Sequence, residues 1–119
     1  MRRKPIPLEA ITPELLNEVR DTIVEHIAPD RIILFGSAMH QGERAPHDID
    51  LYIIKGGLTD RREAERRIEQ LFDGRLFALD ILVRTPEQVE QSLKAGNSFL
   101  AKEVLNKGRI LYERAEPTA

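Results

Sequence analysis

Ile32-Ile33-Leu34-Phe35-Gly36-Ser37, a gap of ten residues, and then Asp48-Ile49-Asp50-Leu51-Tyr52-Ile53-Ile54 is the stretch on which the fold turns. Each half holds an apolar run of strand length, and a glycine-serine pair cuts off the first. One strand thus delivers a turn, and a second opens with two carboxylates two positions apart. Side chains alternate faces along a strand, so Asp48 and Asp50 point the same way, about 6–7 Å apart by the rise per residue. Tyr52 and Ile54 extend that face. Ile49, Leu51 and Ile53 take the other and belong to the core.

Helices are expected on either side of these strands. Thr12-Pro13-Glu14 reads as a helix start, with Thr as N-cap, Pro at the first helical position and an acid near the positive end. Leu16, Val19, Ile23 and Ile27 recur at helical spacing until Pro29 ends the run. Arg31 to Phe35 is the first strand, Gly36 to Pro46 a polar loop with room for a helical turn, and Asp48 to Ile54 the second strand, closed by Gly56-Gly57. Asp60-x-x-Glu63 has the form of a capping box and opens a helix with Ala64, Ile68, Leu71 and Phe72 on its apolar stripe and Gly74 as its stop. Leu76 to Val83 reads as a third strand, and Thr85-Pro86-Glu87-Gln88 repeats the helix-start pattern. A last helix runs from Asn97 or Ser98 to Gly108, and Arg109 to Tyr112 is expected as a fourth, edge strand. Strands alternating with helices define a two-layer α/β domain.

Composition bounds the rest. A chain of 119 residues is expected to form a single domain, residues 1–119. Its net charge of −2 gives no basic excess for direct nucleic-acid binding. The absence of cysteine excludes disulfides and thiolate zinc sites. The basic start Met1-Arg2-Arg3-Lys4 is followed by no apolar signal region and no run of membrane-spanning length, so a cytoplasmic protein without a membrane partner is expected.

The chemistry follows from the acids. Paired strand carboxylates can share hard cations such as magnesium, which prefer oxygen ligands. Asp80 sits inside Leu76-Phe77-Ala78-Leu79-Asp80-Ile81-Leu82-Val83, where a buried unpaired carboxylate would cost several kcal/mol or hold its proton. If its strand lies beside that of Asp50, three acids meet at one site. Gly36 permits close backbone approach to a ligand, and Ser37 offers a hydroxyl and an N–H where a helical turn could favour anions. Together they suit a nucleoside triphosphate: Gly36 and Ser37 at the β and γ phosphates, Asp48 and Asp50 with metal, Asp80 as general base or further ligand. His26 is read as a helix-surface residue. Arg61, Arg62, Arg66 and Arg67 read as a solvated face. His40, His47, Arg44 and Lys55 are placed near the ligand.

Leu34-Phe35-Gly36-Ser37, the ten-residue gap, Asp48-Ile49-Asp50-Leu51 and the later Leu79-Asp80-Ile81 resemble the minimal nucleotidyltransferase family of the polymerase-β superfamily. The resemblance covers nearly the whole chain, including the closing Gly108-Arg109-Ile110-Leu111-Tyr112-Glu113. It is strongest to small prokaryotic members similar to the antitoxin of HEPN/MNT toxin–antitoxin pairs. It implies a nucleotidyltransferase fold with a mixed sheet of about four strands flanked by helices. The implied activity is transfer of AMP from ATP, with two magnesium ions, onto a tyrosine of a partner HEPN ribonuclease toxin. By the same carry-over Gly36 and Ser37 match the phosphate-binding pair, Asp48 and Asp50 the metal-binding pair, and Asp80 the third carboxylate. Two positions depart from the family pattern: His47 precedes the first acid where Ser or Thr is usual, and Ala38-Met39-His40 follows the Gly-Ser pair where Arg is common. Two other readings stand beside this one. The chain could neutralise its partner by contact alone, or it could modify a small molecule in the manner of aminoglycoside nucleotidyltransferases, which carry an additional helical domain.

Overall fold

Thr12 sets the first helix. Extended at φ −116° and ψ 162°, it accepts the Leu15 N–H on its hydroxyl, and Pro13 follows where no N–H is needed. The helix, α1 (Pro13–Ile27), buries Leu15, Leu16, Val19 and Ile23 along one stripe and ends at Ala28, whose left-handed backbone (φ 52°) turns the chain into Pro29. The coordinates are a computed structural model that describes residues 11–36, 48–75 and 77–115.

Four strands, β1 (Arg31–Phe35), β2 (Asp48–Ile54), β3 (Ala78–Arg84) and β4 (Arg109–Glu113), form one sheet in the order β3-β2-β1-β4. β1 runs antiparallel to β2 and β4, whereas β2 and β3 are parallel, so the sheet is mixed. The third strand starts two residues later than the sequence suggests. Phe77 is buried in the preceding bend, where its ring meets Phe72 edge-on at 6.5 Å. β4 is an edge strand as expected. Its ladder with β1 slips at Leu111, and this bulge brings both Leu111 and Tyr112 against the larger core.

Alternation sorts the strands into two unequal cores. Ile32, Leu34, Ile49, Leu51, Ile53, Leu79 and Val83 face α1 and a second helix, α2 (Arg61–Leu71), which adds Ala64 and Ile68. Ile33, Tyr52 and Ile54 point to the opposite face and pack against Leu100 and Val104 of a π-helix, Phe99–Asn106. That last helix begins where the sequence indicates, with Asn97 Oδ1 accepting the Leu100 N–H, but it is wound wider than an α-helix. Lys107 N–H reaches back five residues to the Lys102 carbonyl. It closes at Gly108, where a Cβ would strike the Val104 carbonyl oxygen and stand 2.7 Å from Ile33 Cγ2.

The two remaining helix starts differ. Asp60 accepts the N–H groups of Arg62 and Glu63, but the reciprocal bond from Glu63 is not formed among the described residues, since two carboxylates repel. At α3 (Pro86–Lys94) a neutral pair completes the box: Thr85 Oγ1 accepts from Gln88 N–H and Gln88 Oε1 from Thr85 N–H. Two carboxylates tie elements together. Asp30 accepts the Gly56 N–H at 2.8 Å and pairs with Arg114, joining the ends of α1, β2 and β4. Glu65, on α2, accepts the Val83 N–H at 2.9 Å on the outer side of β3. Among the described residues no helix is long and apolar enough to cross a membrane.

Candidate active site

Strand order brings the acids together. Asp50 is the direct partner of Phe35 on β1 and of Asp80 on β3, and Asp48 is the partner of Ala78. Partners in register present their side chains to the same face, so Asp48, Asp50, Asp80, Phe35 and Tyr52 share one side of the sheet. It is the side of the smaller core, whose cover stops short of the acids: Asp48 and Asp80 are exposed and Asp50 is half-buried. Phe99 of the π-helix lies edge-on to Phe35 with ring centroids 5.6 Å apart. Nothing in the sequence marks Phe99, because its place beside Phe35 depends on how the last helix crosses the sheet.

Asp80 is not the buried acid that its apolar surroundings suggest. Its strand is the sheet edge and its face is open there, so solvent reaches the carboxylate. The strained acid is Asp50. Its pKa is pushed up from 3.8 to about 6, first by burial, then by the charge of Asp80, a hydrogen bond with Asp80 and the charge of Asp48. Asp50 and Asp80 are thus direct neighbours across β2 and β3. Further along the same face Tyr52 is also held above its ordinary value, by burial, with Arg84 acting in the opposite direction.

Gly36 lies against this pair. Its φ of +78° favours glycine, and a Cβ there would collide with Asp50 Oδ2 and sit 3.1 Å from Asp50 Cγ. The carboxylate thus packs on the bare side of the glycine, and any side chain at 36 would push it away. Ser37, the other half of the turn, lies outside the described residues, as do His40, Arg44 and His47. Lys55 is not near the acids. It follows the far end of β2, where its Nζ donates to the Ala28 carbonyl at 3.1 Å. His26 is on the surface of α1, bonded through Nδ1 to the Thr22 carbonyl.

Among the described residues no three His, Cys, Asp or Glu side chains are grouped so as to hold a metal ion. Asp50 and Asp80 make a close pair, and Asp48 stands beside it on the same strand, two residues away. Like charges keep such side chains apart until a cation offsets them. The donor set still fits a hard divalent ion: every donor is a carboxylate oxygen, all share one face, and Asp50 is under a repulsion that a cation would relieve.

A mixed sheet whose glycine bend abuts a pair of strand carboxylates is the architecture of a nucleotide-transferring domain. The chain belongs to the family described as Polymerase beta, Nucleotidyltransferase, whose profile matches residues 17–117. Nucleotidyl transfer is accordingly its general role. No curated protein matches the chain.

Proposed function

We propose that the protein is a magnesium-dependent nucleotidyltransferase that moves AMP from ATP to the hydroxyl of a tyrosine on a partner HEPN toxin, acting as its antitoxin in the cytoplasm. The observation that carries the reading is the Asp50–Asp80 pair beside Gly36, because a half-buried carboxylate pressed by neighbouring acids is unfavourable unless a ligand uses it.

In this reading Asp48 and Asp50 hold the magnesium, which supplies positive charge to the phosphate oxygens when bound. Gly36 and Ser37 receive the triphosphate, and the missing side chain at 36 lets the backbone approach it. The acceptor oxygen attacks the α-phosphorus, a new O–P bond forms, the bond to the bridging oxygen breaks, and pyrophosphate departs. Asp80, the exposed member of the pair, takes the hydroxyl proton on its carboxylate. The open face beside it suits an acceptor delivered by another protein.

The test uses the protein, ATP labelled on the α-phosphate, magnesium and the co-expressed partner. Intact mass of the partner should rise by whole AMP units, and the gain should disappear with Asp48→Ala plus Asp50→Ala. If that double variant protects cells as well as the parent does, the protein works by contact and transfer is not its mechanism. Label appearing on an aminoglycoside with no protein acceptor would place the chain among small-molecule enzymes instead.

A further inference from the structure

Away from the aspartates a groove of about 390 Å³ opens between the first turn of α2 and the flank of α3, lined by Arg61, Arg84, Gln88, Gln91, Ser92 and Ala95. None of these residues is acidic, and two are guanidinium groups. Arg84 ends β3, and its side chain is only 23% exposed, a depth at which a cation needs partners. One of its nitrogens donates to the Val83 carbonyl at 2.7 Å and meets Glu65 Oε2 at 3.5 Å. That oxygen is already held by the Val83 N–H at 2.9 Å. Nε and the second terminal nitrogen of Arg84 have no partner among the described residues. Arg61 has no ion pair among them either, and it occupies the first position of α2, where the helix dipole disfavours a cation. Gln88 spends its Oε1 on the cap of α3, which leaves its amide nitrogen as a donor.

We propose that this groove binds a phosphate group, free or as a small ester, through Arg61, Arg84 and the amide of Gln88. The lining is one-sided: donors and positive charge come from two helices and a strand end, while the flanking carboxylates are engaged elsewhere, Asp60 with the N–H groups of Arg62 and Glu63, and Glu65 with the Val83 N–H and a single Arg84 nitrogen. A carboxylate offers two oxygens to these donors, whereas a phosphate offers three with up to two charges and uses the planar guanidinium forks better. The groove is separate from the aspartate site. Arg84 is four residues from Asp80 along β3, roughly 13 Å by the rise of a strand. Nothing in this assignment depends on the transfer reaction.

The test is an amide and guanidinium NMR titration of the full chain in magnesium-free buffer at constant ionic strength, with inorganic phosphate, glycerol 3-phosphate and acetate as separate probes. Either phosphate probe should give saturable shifts at Arg61, Arg84, Gln88 and Ser92, with acetate weaker by roughly tenfold or more, the value of one charge-assisted bond. Arg61→Ala, at the half-buried first position of α2, should weaken phosphate by about the same factor. Arg84→Gln should do likewise, its spectrum confirming the fold. Asp48→Ala plus Asp50→Ala should bind phosphate as the parent does. Non-saturating shifts, equal response to acetate, indifference to Arg61→Ala, or loss of binding in the aspartate variant would each overturn the assignment.

Discussion

Asp50 concentrates the chemistry of the molecule in one carboxyl group. It binds its proton more tightly in the folded chain, at about 6, than at its ordinary 3.8. A raised acid of this kind makes the fold most stable where it is protonated: stability declines as pH climbs from about 4 through 6 and stays at the lower level above. Without divalent cations at pH about 8, Asp50→Asn should therefore melt a few degrees higher than the parent, and the difference should close near pH 4. Magnesium should raise the melting point of the parent and leave Asp50→Asn unmoved. Scanning calorimetry across that range checks both. The sequence marks Asp48, Asp50 and Gly36 because alternation and a glycine turn are local. It misjudges the burial of Asp80, though not its place beside Asp50, and the position of Lys55, because exposure and distance depend on which strand lies at the edge and which way each runs. Arg61 looks like one of four solvated arginines until Arg84 is placed beside it by tertiary packing.

The helices divide by what holds them. α1 carries four buried side chains, whereas α3 has none and relies on its ends. Its reciprocal cap is therefore a large share of its stability. Thr85→Ala should cost about 1 kcal/mol, seen as roughly fivefold faster hydrogen exchange in the amides of α3 while β2 keeps its protection. Such starts are legible in sequence because a cap needs only neighbours three residues apart, and Thr12-Pro13 and Thr85-Pro86 are both found as read. The wide winding of the Phe99–Asn106 helix is not legible. Its five-residue bonds arise from seating Leu100 and Val104 on the sheet while Gly108 turns into β4. The slip at Leu111 is equally non-local, since it answers to the partner strand.

At the scale of the whole molecule the sheet separates two apolar layers of different depth. The α1–α2 side contains most of the fully buried residues, and the π-helix side is thinner and ends where the acids begin. Equilibrium urea unfolding should reflect this: Ile53→Ala should cost about 4 kcal/mol, near the upper part of the usual range, and Leu100→Ala about 2, because its surroundings can collapse. The four strands were predictable from alternating patterns and the mixed sheet from the family resemblance, but the strand order was not, since chain order does not say that β1 lies inside and β3 outside. The bond from Val83 to Glu65 then acquires a meaning at higher concentration. A bare parallel rim would template addition of a foreign ribbon and growth into aggregates. The carboxylate occupies one donor of that rim, while the kinked ladder and charged ends of β4 discourage stacking at the other. A chain with such guarded margins can leave its acid face uncovered for a visitor without inviting copies of itself to polymerise.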